Sequence, residues 1–175
     1  MDLNLVKRAY SFAKKKHKGQ LRDNGEEYII HPINVAKIII EYKYCEDIDI
    51  LVASALLHDT IEDTYTSIKE LVEKFGEVIA SLVIELTSAK VASRLEGKDV
   101  YLSKKMQNMT NYALAIKLAD RLDNVRHLDG SPQEKKERYL IQTKKILDYV
   151  VRNRELTSTQ QKLADEIYKT MESYK

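Results

Sequence analysis

One imidazole and three carboxylates follow an apolar stretch of the chain, and together they could bind a metal ion and move protons. Residues 53–57 are apolar apart from one serine and lead directly into His58-Asp59, with Glu62-Asp63 about one helical turn later. Placing these groups at the end of an apolar helix is costly unless a cation shares their charge. The i, i+4 spacing of a helix predicts that Glu62 lies beside His58 and Asp63 beside Asp59. The pattern indicates a metal at the first pair and acid–base chemistry at the second, although a capped helix end with solvated acids would have the same residues.

A second polar interruption of an apolar face lies further along the chain and offers another metal ligand. Asp120 and Asn124 are one helical turn apart, and Lys117 precedes Asp120 by three residues. Taken alone, such a group is most often a solvated helix face. Beside the first motif, Asp120 becomes a candidate fourth ligand. His31, which precedes a proline at a predicted helix start, becomes the candidate first, although a lone histidine there is more often a turn residue or a cap.

The elements that must position these residues are predicted to be helices. The chain has 175 residues with only five glycines and two prolines, and a chain of this length is most simply one domain with a real core. Short connections between the helices favour an all-α, single-domain bundle of about eight to ten helices over residues 1–175. The segments Thr87–Gly97 and His17–Gly25 lack an apolar period and are predicted loops. Helices are predicted over Leu3 to Lys16, Pro32 to Tyr44, the stretch from a cap at Asp47 through the His58-Asp59 motif, Ile68 to Phe75 after a cap at Thr66 or Ser67 and ending at Gly76, Val78 to Leu86, Asp99 to Met109, Asn111 to Arg126, Ser131-Pro132 to Arg152, and Ser158 to Tyr174.

Composition restricts the partners and the compartment. The chain has 29 basic and 27 acidic residues, a formal charge of +2, so no global charge attracts nucleic acid. Cys45 is the only cysteine, which excludes an intramolecular disulfide and is compatible with a reducing cytoplasm. The N-terminus lacks a signal-peptide pattern, and no apolar run approaches the roughly 20 residues that span a bilayer. A cytoplasmic protein acting on a small molecule, with no nucleic-acid or membrane partner, is predicted, and the oligomeric state is open.

In chain order, the candidate ligands form the H…HD…D pattern of the HD-domain metal phosphohydrolases. Four segments resemble one branch of that superfamily, the hydrolase domain of the RelA/SpoT family, including the stand-alone small alarmone hydrolases (Mesh1-like). The Glu62-Asp63 pair and the Gly19-Gln20-x-Arg22 loop select this branch. The resemblance spans Leu3 to Arg126 and weakens over residues 127–175, which are expected to be less well matched C-terminal helices of the same HD-type domain. The four segments are residues 17–22, 28–36, 55–64 and 117–126.

The resemblance implies an activity and a metal. Family members remove the 3′-pyrophosphate of ppGpp or pppGpp, giving GDP or GTP, usually with Mn²⁺. A site of two imidazoles and two carboxylates is also compatible with Fe²⁺ or Zn²⁺. The metal would activate a water and polarise a phosphoryl oxygen. Glu62 and Asp63 would position and deprotonate that water or protonate the departing ribose oxygen. The sequence does not assign one of these roles to either residue. The implied metal ligands are His31, His58, Asp59 and Asp120.

The resemblance also implies residues that bind a substrate with four or five phosphates. Arg22 would stack against the guanine base, and Asn124 would hydrogen-bond near the ribose or the metal. Lys18 and Lys90 would reach phosphates, although an exposed lysine in a chain with 29 basic residues is often only a soluble surface. Further along the chain, Arg138 and Tyr139 match a nucleotide-contacting region of the family.

This chain departs from the usual pattern of the branch at four places. Glu27 replaces a proline before Tyr28, and Asp123 replaces a histidine before Asn124, which would add a carboxylate near the metal. Residues 91–109 differ from the family where substrate contacts are expected, which leaves guanine selectivity open. The bifunctional relatives continue into a synthetase domain, whereas this chain ends at Lys175, so synthesis of the alarmone is not expected.

Three alternatives to an alarmone hydrolase fit parts of the sequence. An HD phosphohydrolase could act on another nucleotide: NADPH (removing its 2′-phosphate), an adenine alarmone or a deoxynucleotide. A degenerate HD domain could bind nucleotide without turnover, but a sensor has no need of the Glu62-Asp63 pair. A purely structural bundle gives no reason for the charged residues that interrupt its apolar faces.

Overall fold

Helices account for the regular structure of the chain. The computed structural model describes residues 1–43 and 45–174, and in this part no β-strand forms beyond an isolated bridge between Leu21 and Glu27. The predicted all-α class is confirmed. Two predicted end points, Tyr44 for the second helix and Lys175 for the domain, lie outside the described residues. The ten described α-helices are α1 (Leu3–Lys16), α2 (Ile30–Tyr42), α3 (Ile48–Leu57), α4 (Thr60–Asp63), α5 (Ile68–Leu86), α6 (Lys90–Glu96), α7 (Lys98–Asn108), α8 (Asn111–Arg126), α9 (Gln133–Asn153) and α10 (Ser158–Glu172), with a 3-10 turn at Leu128–Gly130.

The chain divides into two compact units, residues 1–87 and 88–175. The single domain predicted over residues 1–175 therefore stays a prediction. None of the described helices is long and apolar enough to cross a membrane.

The first unit is built around α3. All residues from Leu51 to Leu57 are buried, and α1, α2 and α5 pack against this helix. A helix that is apolar on every side is stable only when it is surrounded, which explains why α3 lies at the centre. The central position also carries His58, the next residue after the helix, into the interior of the unit.

The second unit is built around α8, on which α9 and α10 pack, while α7 packs on α9 and α6 on α7. Twelve of the sixteen residues of α8 are buried. Four of these are charged: Lys117, Asp120, Arg121 and Asp123. Buried charged side chains are rarely found without a partner of opposite charge or a hydrogen bond. The partners of these four side chains must therefore come from α8 itself or from the helices packed on it.

The helix predicted to run through His58-Asp59 to the acidic pair is in fact broken, and that prediction is wrong. Helix α3 ends at Leu57, the chain turns at His58-Asp59, and the separate one-turn helix α4 begins at Thr60. His58 Nδ1 lies 2.7 Å from the carbonyl oxygen of Ala55, and Thr60 Oγ1 donates to that of Leu57 at 2.7 Å. Side chains thus take carbonyls that a continuing helix would use for its own backbone, which stabilises the break.

The loop predicted over Thr87–Gly97 is also wrong, because residues 90–96 form α6. No residue of α6 is buried, and its two large apolar side chains, Val91 and Leu95, are exposed. The helix therefore has no apolar period of its own. Contacts with α7 stabilise it instead: Lys104 pairs with Glu96 at 2.9 Å, and the Tyr101 hydroxyl accepts a hydrogen bond from the N–H of Ala89 at 2.8 Å.

One of the three predicted helix caps is confirmed. The cap-then-proline start predicted at Ser131-Pro132 is wrong, because α9 begins at Gln133 and Pro132 occupies its N-cap position. Ser67 precedes α5, and its hydroxyl accepts a hydrogen bond from the Glu70 N–H at 3.1 Å. Asp47 occupies the N-cap position of α3, but its side chain forms no capping hydrogen bond, so that prediction is right in position and wrong in chemistry.

Gly76 interrupts α5 where the sequence predicts the end of one helix and the start of another. Its φ of 82° and ψ of 168° lie in a region that residues with a side chain essentially avoid. We expect Gly76→Ala to lower the free energy of unfolding by about 1–3 kcal/mol, because the strain is independent of the open space around the position. Urea denaturation checks this value. The adjacent exposed substitution Glu77→Ala should change stability by less than about 0.5 kcal/mol, and equal effects of the two would contradict the account.

Candidate functional site

Three of the four predicted metal ligands lie together in the first unit. His31, in the first turn of α2, and His58, in the turn after α3, are 2% and 1% exposed. Their ligating ring nitrogens are within 4.8 Å of each other. The Asp59 Oδ2 atom lies 2.9 Å from Nε2 of His58 and 3.6 Å from Nε2 of His31. His31 is therefore buried beside His58 and Asp59, and its role as a metal ligand stays a prediction.

Neighbouring groups fix the orientation of this cluster. The contact of His58 Nδ1 with the Ala55 carbonyl leaves Nε2 directed at Asp59. The hydroxyl of Tyr28 donates a 2.6 Å hydrogen bond to Asp59 Oδ2, and its ring packs edge-on against His31 at 5.7 Å. A backbone carbonyl on one histidine nitrogen and a hydrogen-bonded carboxylate are the supports that metal ligands have in other proteins. Two buried imidazole nitrogens and a carboxylate oxygen therefore fit a divalent cation of the Mn²⁺, Fe²⁺ or Zn²⁺ type.

Tyr28 is a functional candidate that the sequence argument did not identify, although it lies in one of the matched segments. We expect Tyr28→Phe to weaken Mn²⁺ binding by about 10- to 100-fold, because Asp59 loses the donor that orients it. Titration followed by electron paramagnetic resonance measures this change without any assay of activity. Tyr10→Phe, on the partly exposed face of α1, is the control and should leave the affinity unchanged. Equal affinities of Tyr28→Phe and the unmodified chain would exclude this role.

The predicted acid–base pair lies in α4, directly after the turn at His58-Asp59. Glu62 is half-buried and Asp63 is exposed. The N–H of Asp63 donates to the carbonyl of Asp59 at 2.9 Å, and the side-chain amide of Gln20 donates to the Asp63 carbonyl at 2.8 Å. Gln20 also pairs with Nδ1 of His17 at 2.7 Å, so the loop after α1 is tied to the acidic turn.

In the second unit, the carboxylate of Asp120 has a defined environment on α8. Lys117 Nζ lies 2.8 Å from Oδ2, and the Asn124 amide donates to Oδ1 at 2.7 Å. Both partners come from the same helix, at i−3 and i+4, as the spacing indicates. The arrangement compensates a carboxylate that is only 7% exposed and holds it in one orientation.

Tyr139 on α9 extends the polar surroundings of α8. Its ring lies 5.3 Å from the Arg121 guanidinium carbon, and Arg121 donates to the hydroxyl of Thr143 at 2.9 Å. Burial raises the pKa of the Tyr139 hydroxyl, while the positive charge of Arg121 acts in the opposite direction. The phenol is therefore a neutral group that can donate a hydrogen bond.

The remaining predicted substrate residues lie on the surface of their own units. Lys18 is exposed and Arg22 half-buried in the loop after α1, where the Arg22 N–H donates to the Glu26 carbonyl at 2.8 Å. Lys90 is the exposed first residue of α6, and Arg138 is exposed on α9. Their contacts with a substrate stay predictions.

The two single-residue departures from the family pattern have separate environments. Glu27 is exposed and lies in the bridge with Leu21, one residue before Tyr28. Asp123 is 1% exposed, and its Oδ1 lies 3.1 Å from Nδ1 of His127. The predicted effect of Asp123 on metal affinity stays a prediction.

Comparison with known proteins identifies the family. A family profile described as "HD domain" matches residues 9–155. The chain belongs to the HD domain family. This HD-domain chain is 40% identical over 150 residues to a guanosine-3′,5′-bis(diphosphate) 3′-pyrophosphohydrolase of Aquifex aeolicus, which covers 81% of the chain and 20% of that relative. It is 38% identical over 129 residues to the enzyme of the same name, MESH1, from Xenopus tropicalis, covering 73% of the chain and 71% of that relative.

A solved structure agrees with these relatives. A protein described as a metazoan orthologue of SpoT that hydrolyses ppGpp matches with a TM-score of 0.82 and 29% identity, over 97% of this chain and 96% of its own. The resemblance to the RelA/SpoT hydrolase branch is thus confirmed. The HD-domain chain spans about a fifth of the length of the first curated relatives that it matches, which are 19–21% covered.

Proposed function

We propose that this HD-domain chain is a metal-dependent hydrolase that removes pyrophosphate from the 3′ position of ppGpp or pppGpp, giving GDP or GTP. The observation that carries the proposal is the buried cluster of His31, His58 and Asp59, whose donor atoms fit a divalent cation. The names of its relatives in two different organisms support this substrate class.

The proposed metal is Mn²⁺, held by His31, His58, Asp59 and Asp120, with Fe²⁺ or Zn²⁺ as alternatives. The H…HD…D order of the sequence and the family match, which spans residues 9–155, support the inclusion of Asp120. The ion pair with Lys117 and the hydrogen bond from Asn124 compensate the charge of that carboxylate and hold it in one orientation.

In the proposed reaction, water attacks the phosphorus attached to the ribose 3′ oxygen, and the bond between that phosphorus and that oxygen breaks. A bound divalent cation supplies charge compensation at the phosphoryl oxygens and lowers the pKa of a water. Glu62 and Asp63 take the proton from the attacking water and return a proton to the ribose oxygen. The hydrogen bonds of Asp63 to Asp59 and Gln20 support this role because they hold the acidic turn next to the metal-binding turn.

Six residues are proposed to bind the nucleotide: Lys18, Arg22, Lys90, Asn124, Arg138 and Tyr139. Arg22 is proposed to stack on the base, and the lysines to contact phosphates. The position of Asn124 beside Asp120 and that of Tyr139 beside Arg121 support these two assignments. No nucleic-acid or membrane partner is proposed.

A second candidate is hydrolysis of another nucleotide, because residues 91–109 differ from the family and form parts of α6 and α7. The experiment that separates the candidates is incubation with Mn²⁺ and ppGpp, ppApp, NADPH or deoxynucleoside triphosphates, followed by product analysis. Pyrophosphate from ppGpp is the expected result. Orthophosphate from NADPH, or turnover of another nucleotide alone, would support the second candidate. Binding without any product would indicate a sensor.

A further inference from the structure

The first unit contains an open cavity that none of the proposed metal ligands or nucleotide-binding residues lines. Its volume is about 980 Å³, at the upper end of the range for small-molecule sites, which is roughly 300–1,000 Å³. Residues of α1, of the turn after α4 and of the first half of α5 form its walls. A space of this size accommodates a ligand as large as a nucleotide.

The walls of this cavity carry an excess of positive charge. Lys16 is already committed, because its ammonium group lies 2.7 Å from the Glu70 carboxylate and donates to the carbonyl of Tyr65 at 3.0 Å. Four further cations line the cavity, and within residues 1–43 and 45–174 none of them forms an ion pair: Lys7, Arg8, Lys15 and Lys74. Two carboxylates, Asp63 and Glu70, line the same space. Several uncompensated cations around one concave space attract a polyanion.

Aromatic side chains line the same cavity. Phe12 and Phe75 pack edge-to-face, with ring centroids 5.3 Å apart, and form a rigid apolar part of the wall. Tyr65 lines the cavity with a fully exposed side chain. An exposed tyrosine beside cations offers a stacking surface for a planar ring.

The cavity is separate from the candidate metal cluster within the first unit. Of the residues assigned to metal, catalysis or substrate, only Asp63 lines it, whereas His31, His58 and Arg22 do not. Gln20 lines it as well and holds the Asp63 carbonyl. The cavity therefore lies beside the acidic turn and apart from the two histidines.

We propose that this cavity is a second binding site, for a phosphorylated nucleoside. The cations of α1 and α5 bind the phosphates, and Tyr65 stacks on the base. This site goes beyond the proposed hydrolysis and does not depend on it.

The test uses the full chain with His58→Ala, so that GTP, ATP and inorganic pyrophosphate can be used as probes without turnover. Isothermal titration in low salt is expected to detect GTP or ATP binding. Lys74→Glu is expected to weaken that binding by at least about tenfold, the effect of losing one charge-assisted contact. Lys69→Glu, an exposed lysine of the same helix outside the cavity, is the matched control and should have little effect. Both variants change the charge by the same amount.

The aromatic part of the proposal has its own test. Tyr65→Ala is expected to weaken GTP binding by about tenfold, the value of one base-stacking contact, and to leave pyrophosphate binding unchanged. Absence of GTP and ATP binding, or equal losses in Lys74→Glu and Lys69→Glu, would overturn the site. An equal loss for GTP and pyrophosphate in Tyr65→Ala would overturn the stacking. If the unmodified chain does not hydrolyse ppGpp, the proposed function is contradicted. The binding results at this cavity stay valid in that case.

Discussion

Replacement of His58 by alanine is expected to abolish Mn²⁺ binding and turnover together. The His58 ring is 1% exposed, and the Ala55 carbonyl contact at Nδ1 leaves Nε2 as the ligand atom, so no solvent ligand can easily replace it. Loss of a residue that only supports a ligand typically weakens metal binding by about 10- to 100-fold. Loss of the ligand His58 itself is expected to weaken Mn²⁺ binding by more than about 100-fold. Asp120→Ala should have the same effect if Asp120 is the fourth ligand.

Equilibrium dialysis with manganese analysis measures this change, and circular dichroism verifies that the variants fold. Asp120→Asn is a second variant at that position. The asparagine side chain keeps the shape of the carboxylate and can still accept the hydrogen bond from Asn124. His127→Ala is the matched histidine control, since that side chain pairs with Asp123 and is not a proposed ligand. Full activity of an Asp120→Ala protein stripped of metal would refute the ligand assignment.

Glu62→Gln is expected to retain the metal and lose turnover. Glu62 lies in α4, after the turn that carries two of the proposed ligands, so the substitution removes a proton acceptor without removing a ligand. General acid–base catalysis contributes about 10²- to 10⁴-fold, and kcat should fall by an amount in this range. Steady-state kinetics at saturating Mn²⁺ gives kcat, and dialysis of the same sample gives the bound metal.

The exposed glutamate Glu73 on α5 provides the control, and Glu73→Gln should change kcat by less than about twofold, as expected of a surface position. Two results would contradict the role of Glu62. One is a kcat of Glu62→Gln that matches the control, and the other is loss of metal in proportion to loss of turnover.

The helices of the fold were predictable where an apolar period or a cap marked them. Helix α1 has the predicted bounds, Ser67 caps α5, and Gly76 breaks it where the glycine signal indicates. Helix α6 was missed because its stability comes from contacts with α7 and not from its own sequence pattern.

The candidate site was predictable in its residue types but not in its backbone. The spacing of His58-Asp59 and Glu62-Asp63 suggested one continuous helix, whereas side-chain hydrogen bonds from His58 and Thr60 end α3 at Leu57. Tyr28 was missed because only the three-dimensional fold brings its hydroxyl to Asp59, 31 residues away in sequence.

The proposed reaction requires a divalent metal and adds water to the 3′-phosphorus of ppGpp, with cleavage of the bond between that phosphorus and the ribose 3′ oxygen. The most direct measurement is incubation of the manganese-loaded chain with ppGpp in water enriched in oxygen-18, followed by mass spectrometry of both products. We predict equal amounts of GDP and pyrophosphate, with the heavy isotope only in pyrophosphate, and no product after removal of the metal. Heavy oxygen in GDP, release of orthophosphate, or unchanged turnover without metal would contradict the account.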